Sequence, residues 1–108
     1  PALARARGTH NPAAVARGRA VFRRVGCAKC HVPPLFTSRR TYDVGLADEV
    51  GRREFNPPSL RGVSQREGLL HDNRARNLGE VIGRFGHGPQ RPLEAGERDD
   101  LLRFLESL

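Results

Sequence analysis

Cys27, Cys30 and His31 stand together in the run Cys27-Ala28-Lys29-Cys30-His31. Two thiols three positions apart, followed at once by an imidazole, can act as one unit. Each thiol can add across one vinyl group of a porphyrin to form a thioether, and the adjacent histidine then supplies the proximal ligand to the iron. The run predicts a single haem c, covalently attached through Cys27 and Cys30 and ligated by His31. The same spacing also admits a disulfide, a redox-active dithiol or half of a zinc site. A thioredoxin-like dithiol follows a strand and opens a helix within an α/β pattern, and no such pattern surrounds this run. Zinc asks for about four ligands. Cys27 and Cys30 could recruit two of His10, His31, His71 and His87, but no second paired-ligand motif occurs.

An iron held by His31 alone has an open face. The chain contains no Met, the usual distal ligand of high-potential cytochromes c. His87 lies between Gly86 and Gly88 at an expected helix end, where the backbone can turn the ring toward the iron. It is the candidate distal ligand, with His71 the alternative. Two imidazoles would lower the reduction potential relative to a His/Met pair, whereas an open face would admit peroxide or a small gas. Arg61 and Arg74 are candidates for the haem propionates, because a guanidinium pairs bidentately with a carboxylate. Phe36, Leu60 and Leu70 are candidates for the apolar surface around the cofactor.

The elements that must position these residues read as follows. Residues 1–10 form a loose basic leader, and residues 11–108 a single domain. Asn11 and Pro12 open a helix as N-cap and first helical residue. It runs to about Val25 and stops at Gly26, with Ala14, Val15, Gly18, Val21, Phe22 and Val25 on one apolar face. Gly18 inside that helix implies close approach of another helix. Val32-Pro33-Pro34-Leu35-Phe36 reads as extended chain. Residues 37–58 read as a long loop around the cofactor, anchored inward by Tyr42, Val44, Leu46 and Phe55. Ser59 can cap a short turn over residues 60–63, and Leu69 and Leu70 form a buried pair. Asn77 and Glu80 read as a capping-box variant that opens a helix with Leu78, Val81, Ile82 and Phe85 on one face. Residues 94–108 form the clearest helix. The expectation is an all-α fold: three main helices and long loops around one haem.

The composition fits a shell around a cofactor. Only 37% of the 108 residues are hydrophobic, and there is no Trp. A bound haem would add a large apolar body to a thin core. The 19 basic residues against 12 acidic ones give +7, with Lys29 the only lysine. Two propionates would leave about +5, which suits an acidic redox partner. The arginines are scattered, and no recognition motif points to nucleic acid. No stretch approaches the ~20 apolar residues of a membrane span. Covalent haem attachment takes place outside the cytoplasm. With no signal peptide in the chain, a periplasmic or otherwise extracytoplasmic mature form or excised domain is expected.

Gly18-Arg-Ala-Val-Phe22 and Asp100-Leu-Leu-Arg-Phe-Leu105 resemble the first and last helices of class I cytochromes c. The resemblance implies that Gly18, Phe22 and Phe104 form the crossing of those helices near the haem edge. Between them, in order, stand Pro34-Leu-Phe-Thr37, Tyr42-Asp-Val-Gly45, Phe55-Asn-Pro-Pro-Ser-Leu-Arg-Gly-Val63, Leu70-His-Asp-Asn-Arg-Ala75 and Leu78-Gly-Glu-Val-Ile82. Over about residues 16–108 the chain resembles the C-terminal, electron-transfer haem domain of the bacterial di-haem cytochrome c peroxidase/MauG superfamily. The distal Met or Tyr of that superfamily falls where Phe85 stands, and Phe cannot ligate iron. Threonine positions of its calcium site appear here as Pro57 and Ser59, so no calcium is expected. A single haem motif implies electron transfer, as a free carrier or as a domain of a larger redox protein. The alternative is an enzyme part, a peroxidase-like or small-ligand-binding haem domain with an accessible iron.

Overall fold

Helix formation at the two ends of the chain follows from local chemistry. In the computed structural model, which describes residues 10–43, 46–47, 50–66, 68–70, 74–84, 87, 89 and 91–108, helix α1 spans Pro12–Arg24. The Asn11 side chain accepts from the backbone N–H groups of Ala13 and Ala14 at 3.0 and 3.2 Å, and Pro12 occupies the first helical position. Gly26, at φ 92°, takes the left-handed conformation that ends the helix. Helix α3 spans Ala95–Ser107 and opens on a reciprocal capping box between Glu94 and Glu97. Both helices start and stop within one or two residues of the sequence expectation.

The two helices pack on each other through Gly18. A Cβ built there would lie 1.9 Å from the backbone carbonyl oxygen of Asp100 and 2.6 Å from Cβ of Phe104. Only a residue without a side chain allows this approach. It brings Phe22 of α1 against Phe104 of α3, ring centres 5.2 Å apart and inclined by 60°. Val21, Phe22, Val25, Val63, Leu69, Ala75, Leu101, Phe104 and Leu105 form one buried cluster. Arg19 caps it from outside, with its guanidinium 5.6 Å from the Phe104 ring centre. The crossing of Gly18, Phe22 and Phe104 is thus present as expected.

Between α1 and α3 the structure departs from an all-α reading. Residues 37–58 are not loop alone: strands β1 (Tyr42–Asp43) and β2 (Glu54–Phe55) pair antiparallel, with Tyr42 opposite Phe55. Tyr42, Leu46 and Phe55 are half-buried anchors, while Val44 lies outside the described residues. The architecture is helix-rich with a small two-stranded ribbon. The expected turn over residues 60–63 is closed by Val63 N–H on the Leu60 carbonyl at 3.1 Å, and a 3₁₀ turn over Val63–Gln65 follows it. Gly62 N–H donates to the Leu108 carbonyl at 2.8 Å and ties it to the end of α3. Helix α2 covers only Leu78–Ile82. Asn77 caps it, accepting from Glu80 N–H at 2.9 Å, but the Glu80 carboxylate accepts from Arg76 N–H instead of completing the box. Leu78, Val81 and Ile82 pack on the main cluster, and Phe85 lies outside the described residues. Of the predicted leader, only His10 is described, and it is half-buried.

Glu97 joins three elements. Its carboxylate pairs with Arg91 at 2.8 and 2.7 Å and with Arg24 of α1 at 2.9 Å, and accepts from Glu94 N–H at 3.2 Å. Arg91, then Arg24, then the backbone donor hold this carboxyl well below the usual carboxylate range.

Two expectations follow. Gly18→Ala should destabilise the protein by about 3 kcal/mol, overpacking outweighing the ~1 kcal/mol gain in helix propensity. Denaturant midpoints measure this, and an unchanged midpoint would refute the close contact. Because folding depresses the Glu97 pKa, its stabilisation is complete above the ordinary glutamate value of about 4.3 and is lost as pH falls below it. Glu97→Gln should therefore flatten the acid limb of stability against pH between about pH 5 and 3. An equally steep limb would contradict the assignment.

Candidate metal centre

Gly26 delivers the chain from α1 into a 3₁₀ turn over Cys27–Lys29. Cys30 N–H and His31 N–H both donate to the Cys27 carbonyl, at 3.3 and 3.0 Å. This turn places Cys27, Cys30 and His31 on one bend of the chain. Cys27 and Cys30 are not joined in a disulfide. Burial pushes the Cys27 thiol up to about 11. Burial also raises Cys30, against the opposing pull of Lys29. A reactive dithiol requires the reverse shift, toward thiolate. Among the described residues no three His, Cys, Asp or Glu side chains gather as a metal cluster, so the four-ligand set of a zinc site is not assembled there. The residues present fit the haem reading of the motif better than either rival.

His31 is oriented by backbone. Its Nδ1 lies 3.1 Å from the Phe36 carbonyl oxygen. With the proton on Nδ1, the Nε2 lone pair is left to ligate a metal. Burial lowers the His31 pKa below its ordinary value, against the hydrogen bonds to the Phe36 and Pro58 backbone, so the ring is neutral at pH 7. Phe36 sits at φ 57°, a left-handed conformation that costs a non-glycine residue of order 1–3 kcal/mol. Its surroundings hold it there. The ring stacks edge-on against Phe22 and Phe104, centres 5.7 and 5.9 Å away. Val32 and Thr37 exchange two backbone hydrogen bonds of 3.3 Å across the loop. Thr37 Oγ1 donates to the Pro57 carbonyl, and Ser59 Oγ to the Leu35 carbonyl.

His87 is brought near His31 by a different element. Its backbone N–H donates to the Val81 carbonyl at 2.9 Å, hanging the residue from the last turn of α2. Its ring centre lies 6.4 Å from that of His31, with the planes inclined by 75°. An imidazole centre is about 1.2 Å from its own nitrogens, and a metal–imidazole bond is about 2 Å, so two rings on opposite sides of one metal have centres about 6.3 Å apart. The pair has the spacing that one shared metal requires.

The other predicted site residues are placed as follows. Leu60 and Leu70 pack on the main cluster as half-buried side chains, and Leu70, at φ 70°, is a second left-handed residue. Arg74 donates to the Ala47 carbonyl at 2.9 Å. Arg61 N–H donates to Ser59 Oγ at 3.2 Å, the cap expected of Ser59. His71 lies outside the described residues. Sequence reading missed the carbonyl of Phe36 as the orienter of His31, and missed Thr37 and Ser59 as the ties of its loop. A left-handed phenylalanine carries no local signal, and the two hydroxyls reach partners 20 and 24 positions away.

Comparison with known proteins bears on this geometry. The chain is 31% identical to the methylamine utilization protein MauG of Methylorubrum extorquens over 85% of its own length and 33% of that protein. Its fold matches hydrazine synthase from Kuenenia stuttgartiensis, solved under xenon pressure, with a TM-score of 0.77 over 98% of this chain and 51% of that one, at 23% identity. No family model matches the chain. The chain thus spans a third of the length of the one and half of the other. No helix among the described residues is long and apolar enough to cross a membrane.

Proposed function

We propose that this MauG-like haem domain relays single electrons through one haem c held between His31 and His87. When bound, the haem supplies one-electron exchange between ferrous and ferric iron. The observation that carries the reading is the 6.4 Å separation of the two imidazole centres. Cys27 and Cys30 would hold the macrocycle on the turn after α1, each through a thioether formed by adding S–H across one vinyl group. His31 is the proximal ligand, and the Phe36 carbonyl on its Nδ1–H strengthens it as a base. His87 is the distal ligand. With His31 and His87 both holding the iron, the site would be closed to peroxide and small gases, which favours relay over peroxidase-type chemistry. The second imidazole also stabilises ferric iron and keeps the potential below that of a His/Met pair.

Phe36, Leu60 and Leu70 contribute apolar contact, while Arg61 and Arg74 meet the propionates. The net charge of +7 attracts a redox partner with an acidic surface. Covalent attachment puts the domain in an extracytoplasmic compartment, as a free carrier or as part of a larger redox protein.

The holoprotein should show sharp α and β bands on reduction and no spectral change under CO. His87→Ala should create a CO response and raise the potential. CO binding to the unmodified holoprotein would favour the ligand-binding alternative, and an unchanged spectrum in His87→Ala would remove His87 as ligand. Electron exchange with an acidic partner should slow as salt rises from about 10 to 150 mM, where the Debye length falls from about 30 to 8 Å. A flat salt response would refute steering.

A further inference from the structure

Strand β2 ends at Phe55, and Pro57 and Pro58 beyond it carry no backbone N–H with which to extend the ribbon. Side-chain donors take over where the ladder stops. Asn56 Nδ2 donates to the Ser38 and Arg40 carbonyls at 2.6 and 2.9 Å. Thr37 Oγ1 donates to the Pro57 carbonyl and Ser59 Oγ to the Leu35 carbonyl, so the two hydroxyls cross between the same two segments in opposite directions. Each is aimed by what its residue already holds. The backbone N–H and carbonyl of Thr37 are both bonded to Val32, at 3.3 Å. Ser59 Oγ accepts from Arg61 N–H at 3.2 Å, which leaves its proton for Leu35. The crossed pair brackets two residues: Phe36 lies between Leu35 and Thr37, and Pro58 between Pro57 and Ser59. These are the residues whose backbone meets the His31 ring. The Phe36 carbonyl oxygen lies 3.1 Å from Nδ1, and the Pro58 backbone is a second partner. Proline offers only a carbonyl, so both face the ring as acceptors.

We infer that Thr37 and Ser59 are positioning residues that set the reduction potential, their crossed hydrogen bonds holding the Phe36 and Pro58 carbonyls on the proximal imidazole. The inference rests on the reading of His31 as proximal ligand and needs nothing from the opposite face. Both hydroxyls act through the backbone, not on the ring itself. A carbonyl held on Nδ1–H draws the imidazole toward imidazolate character, and a more basic ligand favours ferric over ferrous iron. The left-handed backbone of Phe36, at φ 57°, is strained for a residue with a side chain. A loosened loop therefore relaxes away from the ring, and the potential rises. The two ties differ in weight. The Thr37 bond is part-buried, whereas the Ser59 bond is exposed and water can take its place. Thr37 carries the larger share.

The test is a redox titration of the holoprotein as Thr37→Val, Thr37→Ser and Ser59→Ala, with His31→Ala as the reference for the ligand. Thr37→Val keeps the volume and removes the donor. It should shift the ferrous-to-ferric ratio at fixed ambient potential about threefold toward ferrous, which at ~59 mV per tenfold is a rise of about 28 mV. Ser59→Ala should move it the same way by less. Thr37→Ser, which keeps the hydroxyl, should stay at the native value. Proton NMR of the His31 Nδ1–H supplies a readout that lost stability alone would not produce. Solvent exchange at this proton should quicken in Thr37→Val while protection of the α1 and α3 amides is retained. A native potential with native exchange in Thr37→Val, or an equal shift in Thr37→Ser, would overturn the positioning role. If His31→Ala loses the low-spin haem spectrum while Thr37→Val stays native in potential and exchange, the clasp alone fails. If His31→Ala keeps that spectrum, the ligand reading fails and the clasp falls with it.

Discussion

The contact of Gly18 with the backbone of Asp100 determines more than the packing of two helices. At that separation Phe22 and Phe104 are forced edge to face, and they leave a slot that a third ring, Phe36, fills. Filling it holds the backbone of Phe36 at a positive φ, and that conformation turns its carbonyl toward Nδ1 of His31. A missing Cβ on α1 is therefore connected, through three aromatic rings, to the nitrogen that selects the histidine tautomer. The strain at Phe36 is offset by ring burial. The ties from Thr37 and Ser59 keep the loop from relaxing to an unstrained turn.

What was legible in the sequence were the parts with local causes. Asn11, Pro12 and Gly26 each carry their structural instruction in their own chemistry, and the spacing of Val21, Phe22 and Val25 shows which face is buried. The Cys27–His31 run is legible for the same reason, since the cofactor it implies demands that spacing. His87 was singled out because no Met was available and flanking glycines allow a turn, and its ring centre lies 6.4 Å from that of His31. The middle of the chain was harder to read. The ribbon of Tyr42–Asp43 with Glu54–Phe55 is two residues per strand, too short for any alternation to register. Helix α2 ended at Ile82, and residues 83–84 do not extend it. A Cβ on Gly83 would crowd the Gly79 carbonyl at 2.9 Å and the Arg98 guanidinium at 3.4 Å, which shows how closely α3 approaches there. Such tertiary limits leave no periodic trace.

The charge distribution supports the same organisation. Asp43, Glu80, Glu97, Asp100 and Glu106 each pair with an arginine. Most of these pairs are exposed, and each is worth little on its own. Glu97 differs because it is enclosed and receives two guanidinium groups from different parts of the chain. The excess of 19 basic over 12 acidic residues is the cationic surplus that an acidic partner would meet.

A relay works best when its ligands hold one geometry in both oxidation states, since movement between them adds to the barrier of every transfer. The two proposed ligands meet that demand by different means. His31 is fixed twice, through its ring to Phe36 and through its backbone to Cys27, on a turn fastened to α1. His87 hangs by its backbone N–H from the Val81 carbonyl, so its placement follows α2. One proposed ligand is thus set by the turn after α1 and the other by α2, and both elements pack on the main cluster.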